Sequence, residues 1–158
     1  MKPKPEISIA VEAPRRHDVI ALVRTLDSYH QSLYPPEANH HLDIEALCAP
    51  DVKFLVARKG GDPIGIGALW LRKDLGFGEI KRMFVRPEAR GFGLGAQLLA
   101  QIEQIAREHG IEQLMLETGT LNDDAHKLYQ RAGFARRGPF ADYPDHPFSV
   151  FMEKRLGR

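Results

Sequence analysis

The chain of 158 residues contains one cysteine, Cys48, so it cannot form an internal disulfide. It has no apolar run near the roughly 20 residues that a membrane span needs, and the stretch from Met1 to Ile9 has no apolar signal core. The net charge is only +1, which gives little long-range attraction to polyanions. These absences predict a cytoplasmic protein whose partners are neither nucleic acids nor membranes.

What the chain does contain is ordinary for a folded protein. Hydrophobic residues make up 43% and charged residues 27%, a balance that excludes disordered and fibrous classes. The length suits one domain with a substantial core and leaves no room for a second domain of any substance. We therefore expect residues 1–158 to form a single domain.

Hydrophobic periodicity predicts short strands followed by amphipathic helices. A helix opens at Pro14, a residue tolerated in the first turn, and continues to about Asp27. The segment from Tyr29 to Pro50 is less regular, and both a pocket wall and plain chain routing are compatible with it. The other predicted elements are strands at Ile7–Val11, Val52–Arg58, Pro63–Leu71 and Phe77–Val85, a helix at Leu94–His109, a strand at Gln113–Thr118, a helix from Asn122 to Gly133, and strands at Phe134–Arg137 and Phe148–Glu153.

The stretch from Arg90 to Ala96 carries glycines at alternate positions, Gly91, Gly93 and Gly95. It lies between a predicted strand and a predicted helix. Glycine lacks a Cβ, so such a loop can turn its backbone N–H groups toward one point, and the N-terminus of the following helix adds partial positive charge. The pattern predicts a site for an anion the size of a pyrophosphate.

A dinucleotide-binding fold is the rival interpretation of this loop. Gly91, Gly93 and Ala96 fit G-x-G-x-x-(G/A), and Glu117 ends the next strand at about the ~20-residue distance of a ribose-binding acid. That fingerprint places its first glycine directly at the strand end, whereas residues 86–90 intervene here. The loop also follows an antiparallel meander past mid-chain, which leaves too few residues for a doubly wound sheet. The sequence therefore favours another anion-binding fold.

Two motifs follow each other in the second half of the chain. Arg90, Gly93 and Gly95 fill the pattern (Q/R)-x-x-G-x-(G/A) directly after a predicted strand. Downstream, the pattern N-x-x-A-x-x-L-Y-x-x-x-G-F is filled by Asn122, Ala125, Leu128, Tyr129, Gly133 and Phe134. In their order and spacing these motifs resemble those of the GNAT superfamily of acyl-CoA-dependent N-acetyltransferases.

The resemblance implies an α/β (α+β) fold, with a mixed, mostly antiparallel sheet of about seven strands flanked by helices. The sheet would be splayed between strands 4 and 5, with acetyl-CoA in the opening. Asn122 would hydrogen-bond the cofactor arm, while Arg90 and Arg131 are either phosphate ligands or solvated basic residues. Main-chain groups would pair with the pantetheine at Met83, Phe84 and Val85, and amides would hold the pyrophosphate at Gly91, Phe92, Gly93, Leu94, Gly95 and Ala96.

Acetyl transfer to an amine needs one group that deprotonates the acceptor ammonium and another that protonates the departing thiolate. Tyr129, with an ordinary phenol pKa of about 10, stays protonated at neutral pH, and the resemblance gives it the acid role. For the base, the resemblance offers Glu79 and Glu117, which lie on the two splayed strands, and solvent is a third candidate. The sequence does not choose among them.

The histidines do not suggest a metal site. His40 and His41 are adjacent, so their side chains diverge, and no carboxylate or thiolate spacing completes a ligand set with His17 or His30. We therefore expect acetyl-CoA as cosubstrate and no metal. A wall of the acceptor pocket is a better role for these histidines, and also for the aromatic residues Tyr29, Tyr34, Tyr143 and Phe148.

The sequence thus predicts an enzyme that moves an acetyl group from acetyl-CoA to a primary amine by direct attack in a ternary complex. A small-molecule acceptor is expected because the balanced charge gives no sign of a dedicated surface for nucleic acid or histone tails. A protein N-terminus or lysine as acceptor, a non-catalytic acyl-CoA sensor and a homodimer all stay open. The presence of Tyr129, Glu79 and Glu117 argues against the sensor.

Overall fold

A mixed sheet organises the computed structural model of the protein, which describes residues 6–38 and 42–157. Its strands are β1 (Ile7–Val11), β2 (Val52–Lys59), β3 (Asp62–Arg72), β4 (Phe77–Val85), β5 (Gln113–Gly119), β6 (Ala135–Arg137) and β7 (Ser149–Arg155). They lie in the order β1-β2-β3-β4-β5-β7-β6 and pair antiparallel except for β4 and β5, which are parallel. The predicted sheet is confirmed.

Helices connect the strands and flank the sheet. They are α1 (His17–Leu33), α2 (Ile44–Leu47), α3 (Leu94–Glu108) and α4 (Asp123–Arg131), with 3-10 turns at Pro36–Ala38 and Pro87–Ala89. The predicted bounds of α1 are wrong at both ends. Arg16 is still extended and Pro14 lies in a turn before it, and the helix continues to Leu33 instead of ending near Asp27. No helix in the described ranges is long and apolar enough to cross a membrane.

Two apolar clusters pack the helices onto opposite faces of the sheet. Because alternate strand residues point to opposite faces, Leu55 of β2 joins one cluster while Phe54 joins the other. The first cluster contains the buried face of α3, on which Leu98 and Ile102 recur at helical spacing. The second contains α1, through Leu22 and its neighbours. The site described below lies where these two layers meet the same gap in the sheet.

That gap opens between β4 and β5. The two strands pair only from Gly78↔Leu114 to Ile80↔Leu116, and β4 then continues with β3 alone. A β-bulge shifts the β3–β4 register just beyond this point, and Arg82 in the bulge has a φ of 59°. The parted strands confirm the splay predicted between strands 4 and 5.

Candidate active site

A cavity of about 100 Å³ occupies the opening between the parted strands. Met83, Glu117, Asn122 and Tyr129, all predicted site residues, contribute to its wall. α1, β4, β5, the start of α4 and the segment before β7 all supply lining residues. The topology therefore brings together side chains that are far apart in the sequence.

The loop between β4 and α3 contains backbone N–H groups that lack protein acceptors. The Arg90 amide donates to Pro87 and the Gln97 amide donates to Gly93. Between these two bonds, no described residue accepts a hydrogen bond from an amide of residues 91–96. The first turn of α3 also has no acidic side chain. Unpaired amides at a helix N-terminus form a site for an anion.

The glycines of this loop have separate structural roles. Gly91 and Gly93 have φ values of 87° and 77°, a region that favours glycine, and a Cβ on either would meet nothing within 4 Å. A Cβ on Gly95 would lie 3.0 Å from the side chain of Leu128, so this glycine lets α3 approach α4. Phe92, which lies between Gly91 and Gly93, is 76% exposed. The space beside the loop is open to a ligand.

The loop positions Leu94 and Ala96 have no polar side-chain group, so their polar groups are those of the main chain. Leu94 is buried in the core, whereas Ala96 is exposed and has only a methyl group. Arg90 is different, because its Nε donates to the carbonyl of Val85 at 2.9 Å. That bond holds the Arg90 guanidinium beside the loop.

The two other polar side chains expected at the cofactor occupy opposite ends of α4. Asn122 precedes the helix, makes no capping hydrogen bond with its side chain, and lines the cavity. Arg131 is exposed in the last turn and is absent from the cavity wall. The structure thus places Asn122 in the wall of the site and Arg131 outside it.

The edge of β4 that faces the gap has no neighbouring strand beyond Ile80. On its other edge, β4 remains paired with β3 as far as Val85. Met83 and Phe84 therefore present a strand edge to the opening, although the Val85 carbonyl already accepts the Arg90 bond. A ligand with an extended, amide-containing arm can add to such an edge as a strand does.

Tyr129 lies on the buried face of α4. Its ring packs edge-on against Phe134, with 5.7 Å between the centroids. Burial raises the pKa of the Tyr129 phenol, and the negative charge of Glu117 raises it further. The phenol therefore keeps its proton at neutral pH and can donate it.

Glu117 is the carboxylate in the cavity wall. Burial raises the pKa of the Glu117 carboxyl, and the charge of Glu79 acts in the same direction. The Ser149 hydroxyl and the positive charge of Lys81 oppose this shift in part. A carboxylate with a raised pKa accepts a proton more readily than an ordinary one, which suits a general base.

Glu79 has very different surroundings, since it is 0% exposed and both of its oxygens have partners. Arg72 Nη1 donates to Oε1 at 3.0 Å, and Lys81 Nζ lies 3.1 Å from Oε2. The Tyr143 hydroxyl donates to Oε2 and accepts a hydrogen bond from Lys81 Nζ. This buried network holds the Glu79 carboxylate between two basic side chains and occupies both of its oxygens.

The aromatic side chains expected around the acceptor divide into two groups. Tyr34 and Phe148 line the cavity together with His30, and the Tyr34 and Phe148 rings meet edge to face with centroids 6.1 Å apart. Tyr29 instead packs on Phe84 outside the wall, and Tyr143 belongs to the Glu79 network. The acceptor side is therefore walled by the end of α1 and the segment before β7.

Gly119 allows Tyr34 to close this wall. A Cβ on Gly119 would lie 2.0 Å from the Tyr34 hydroxyl oxygen, so the Tyr34 side chain would have to move away. The same hydroxyl accepts a hydrogen bond from the Leu121 amide at 2.9 Å. The end of α1 is thus tied directly to the end of β5.

Within the described part of the chain, the histidines show no metal-binding arrangement. His17 is exposed at the start of α1, and His40 and His41 lie outside the described residues. Among residues 6–38 and 42–157, no group of three metal-ligating side chains comes together.

The sequence predicts the ion-pair partner of Lys81 but not that of Arg82. The adjacency of Lys81 and Arg82 to Glu79 suggests pairing with that carboxylate, and Lys81 does so. Arg82 instead turns toward α1, where its Nη1 lies 2.7 Å from Asp27 Oδ1. The β-bulge is the physical cause, because it interrupts the alternation of side chains along β4.

Comparisons with known proteins agree with this geometry. The sequence model of the family described as "Acetyltransferase (GNAT) family" matches residues 19–134. The chain is 47% identical to an IAA acetyltransferase of Azospirillum brasilense over 152 residues, which cover 96% of this chain and 99% of that protein. It is 41% identical over 124 residues to an uncharacterized N-acetyltransferase of Bacillus subtilis, covering 77% of this chain and 82% of that protein.

Solved structures share the fold. A protein of Klebsiella pneumoniae described as an acyl-CoA N-acyltransferase superposes with a TM-score of 0.81 at 38% identity, covering 96% of this chain and 98% of that one. An N-acetyltransferase of Thermoplasma acidophilum, crystallised with coenzyme A, superposes with a TM-score of 0.71 at 20% identity, covering 96% and 99%. The chain belongs to the acetyltransferase (GNAT) family and is an acetyl-CoA-dependent N-acetyltransferase.

Proposed function

We propose that residues 1–158 form one catalytic domain that transfers the acetyl group of acetyl-CoA to a primary amine of a small molecule. The observation that carries this proposal is the meeting of Glu117 and Tyr129 in one cavity wall, beside a loop of unpaired amides. Each of these features matches one requirement of the reaction: a proton acceptor, a proton donor and a place for the diphosphate.

The described residues fit coenzyme A. Amides of residues 91–96 and the Arg90 guanidinium would hold the pyrophosphate, because both offer N–H donors with positive character. The free edge of β4 at Met83 and Phe84 would pair with the amide groups of the pantetheine arm, and the Asn122 side chain would bond the arm from α4. When bound, acetyl-CoA supplies the activated thioester.

The acceptor amine attacks the thioester carbonyl carbon, a C–N bond forms, and the C–S bond breaks. Glu117 takes the proton that the ammonium must lose, directly or through water, because its pKa is raised by burial. Tyr129 donates its phenolic proton toward the departing sulfur. Glu79 is assigned no proton transfer, since Arg72, Lys81 and Tyr143 occupy its oxygens.

A panel of small amines, incubated with acetyl-CoA, tests the proposal. Thiol release that depends on the amine, with the acetylated amine identified by mass spectrometry, is the expected result. IAA, which stands in the name of a relative, is tested separately beside the panel of amines. Peptides with free N-termini and lysines belong in a parallel panel, where faster release would replace the small-molecule acceptor by a protein one.

A sensor that binds acyl-CoA without turnover is the competing function. It would show calorimetric binding of acetyl-CoA and no amine-dependent thiol release in either panel. Release in either panel rejects the sensor.

A further inference from the structure

Arg82 is buried at the acceptor side of the cavity without a full set of hydrogen-bond partners. Its side chain is 1% exposed, and the residue lines the cavity. The Nε, Nη1 and Nη2 atoms are all buried, and none donates a geometrically sound hydrogen bond to any residue that the structure describes. A guanidinium carries five N–H donors, so several are unused.

The ion pair with Asp27 does not account for this arrangement. Asp27 Oδ1 lies 2.7 Å from Nη1, close enough for attraction but without the alignment of a hydrogen bond. The Nε and Nη2 atoms of Arg82 have no hydrogen-bond partner among the described residues. A buried charge with unused donors is costly, and such groups commonly await a ligand.

The backbone holds Arg82 in place at some further cost. Its φ of 59° is unusual for a residue with a side chain, and it occurs in the bulge where β4 leaves β5. The bulge turns the guanidinium toward Asp27 of α1, on the side where His30 and Tyr34 wall the acceptor pocket. A strained, buried cation thus lines the α1 side of the cavity, with His30 and Tyr34.

The fork of Nε and Nη2 matches a carboxylate, which accepts two parallel N–H bonds from arginine. We propose that Arg82 binds a carboxylate group of the acceptor, so that the acceptor is an amino acid or a similar amine with an acidic group. This inference rests on the proposed function and narrows its substrate class. The ammonium of such a molecule is then directed to Glu117 and its carboxylate to Arg82, which pairs each charge of the zwitterion with its opposite.

Calorimetric titration of the protein, saturated with coenzyme A, tests the inference without requiring turnover. A set of L-amino acids is compared with the matching amino-acid amides, which keep the amine and the side chain but lack the carboxylate. The expected result is binding at least roughly tenfold tighter for the acids, since a buried site that loses a charged partner discriminates strongly. Equal affinities for acids and amides would overturn the inference.

Arg82→Lys is the informative variant. Lysine keeps the positive charge beside Asp27 but loses the two-donor fork, so the preference for acids should fall by roughly tenfold while amide binding stays unchanged. Arg24→Lys, on the exposed face of α1, is the matched control and should leave the preference intact. An unchanged preference in Arg82→Lys would contradict the assignment of the carboxylate to Arg82.

A probe that lacks the amine covers the case in which Arg82→Lys does not fold. 3-Phenylpropionate, which resembles phenylalanine without its ammonium group, should compete with phenylalanine for the wild-type protein, whereas 3-phenylpropionamide should not. Competition by both or by neither would count against a carboxylate site. Acid-selective binding without acetyl transfer would refute the proposed function and leave this inference standing.

Discussion

Glu117 and Glu79 lie on adjacent strands, yet their surroundings give them different chemistry. Glu117 faces the cavity, where burial raises the pKa of its carboxyl. Glu79 is enclosed by Arg72, Lys81 and Tyr143, which occupy both of its oxygens. Their surroundings, rather than residue type, therefore support Glu117 and not Glu79 as the proposed proton acceptor.

Glu117→Gln should lower kcat by about 10²-fold or more, which is the usual contribution of a general base. In the wild type, kcat/KM should rise with pH through a pKa above the ordinary carboxyl value, because only the ionised carboxylate accepts a proton. The variant should lose this acidic limb. A pH–rate profile of both proteins measures the difference, and a limb retained in Glu117→Gln would remove Glu117 as the base.

The same substitution should not weaken the fold near neutral pH. A carboxyl whose pKa is raised in the folded state contributes stability at low pH and loses it as pH rises through that raised pKa. Glutamine stays neutral, so Glu117→Gln should match or exceed the wild-type melting temperature at pH 7. Poor activity in a well-folded variant would then be chemical in origin.

Glu79→Gln should show the opposite pattern. Removing the charge leaves Arg72 and Lys81 buried without their counter-ion, and breaking a buried pair in this way costs about 3–5 kcal/mol. The free energy of unfolding, measured with urea, should fall accordingly, while the acidic limb of the pH–rate profile remains. Loss of that limb with full stability would reassign the base to Glu79.

Tyr129→Phe isolates the proton donor. The ring that packs on Phe134 is kept and only the hydroxyl is lost, so coenzyme A affinity should change little. Turnover at saturating substrate should fall by about 10²-fold, the usual contribution of general acid catalysis. An unaltered kcat would show that the thiolate leaves without help from this phenol.

At the scale of elements, the β4–α3 loop can be tested with a matched pair of glycines. Gly93 and Gly76 have φ values of 77° and 82°, and a Cβ on either meets nothing within 4 Å. Alanine at either position should therefore cost a similar ~1–2 kcal/mol of backbone strain. Only Gly93 lies in the proposed phosphate cradle, which consists of the amides of residues 91–96. Gly76 precedes β4 in a turn.

Gly93→Ala should weaken coenzyme A binding by about tenfold, the equivalent of one charge-assisted hydrogen bond of ~1.5–3 kcal/mol. Gly76→Ala should bind coenzyme A as the wild type does. Alanine keeps the N–H but resists the left-handed φ of Gly93, so calorimetry with both variants separates displacement of the loop amides from a general loss of stability. Equal affinity in the two variants would contradict the cradle.

Local patterns explain which features could be predicted from the sequence. The glycine loop, the α3 face and the β2–β3 hairpin are each encoded within a few neighbouring residues, and the structure contains all of them. The bonds of Tyr143 to Glu79 join residues 64 positions apart, so no spacing reveals them. The first turn of α1 has no side-chain cap to mark its start, which left Pro14 as a misleading signal.

At the scale of the whole molecule, β4 and β5 join the two halves of the sheet only from Gly78 to Ile80. Beyond Ile80 the facing edges of the two strands are not paired with each other. α1, in the second apolar cluster, and α4, whose Tyr129 belongs to the first cluster with α3, border the same opening. A ligand that pairs with the β4 edge and the loop amides would therefore stabilise both layers together. Ligand binding and global stability should be coupled.

Coenzyme A at 100 times its dissociation constant should raise the free energy of unfolding by about 2.7 kcal/mol, since it binds only the folded chain. Pantetheine at the same concentration should give a much smaller rise, because it has the amide arm but no diphosphate to occupy the free amides of residues 91–96. Thermal unfolding with each ligand measures both effects, with Gly93→Ala as a control in which the coenzyme A effect should shrink. An equal rise with pantetheine would mean that the strand edge, and not the loop, supplies most of the binding energy.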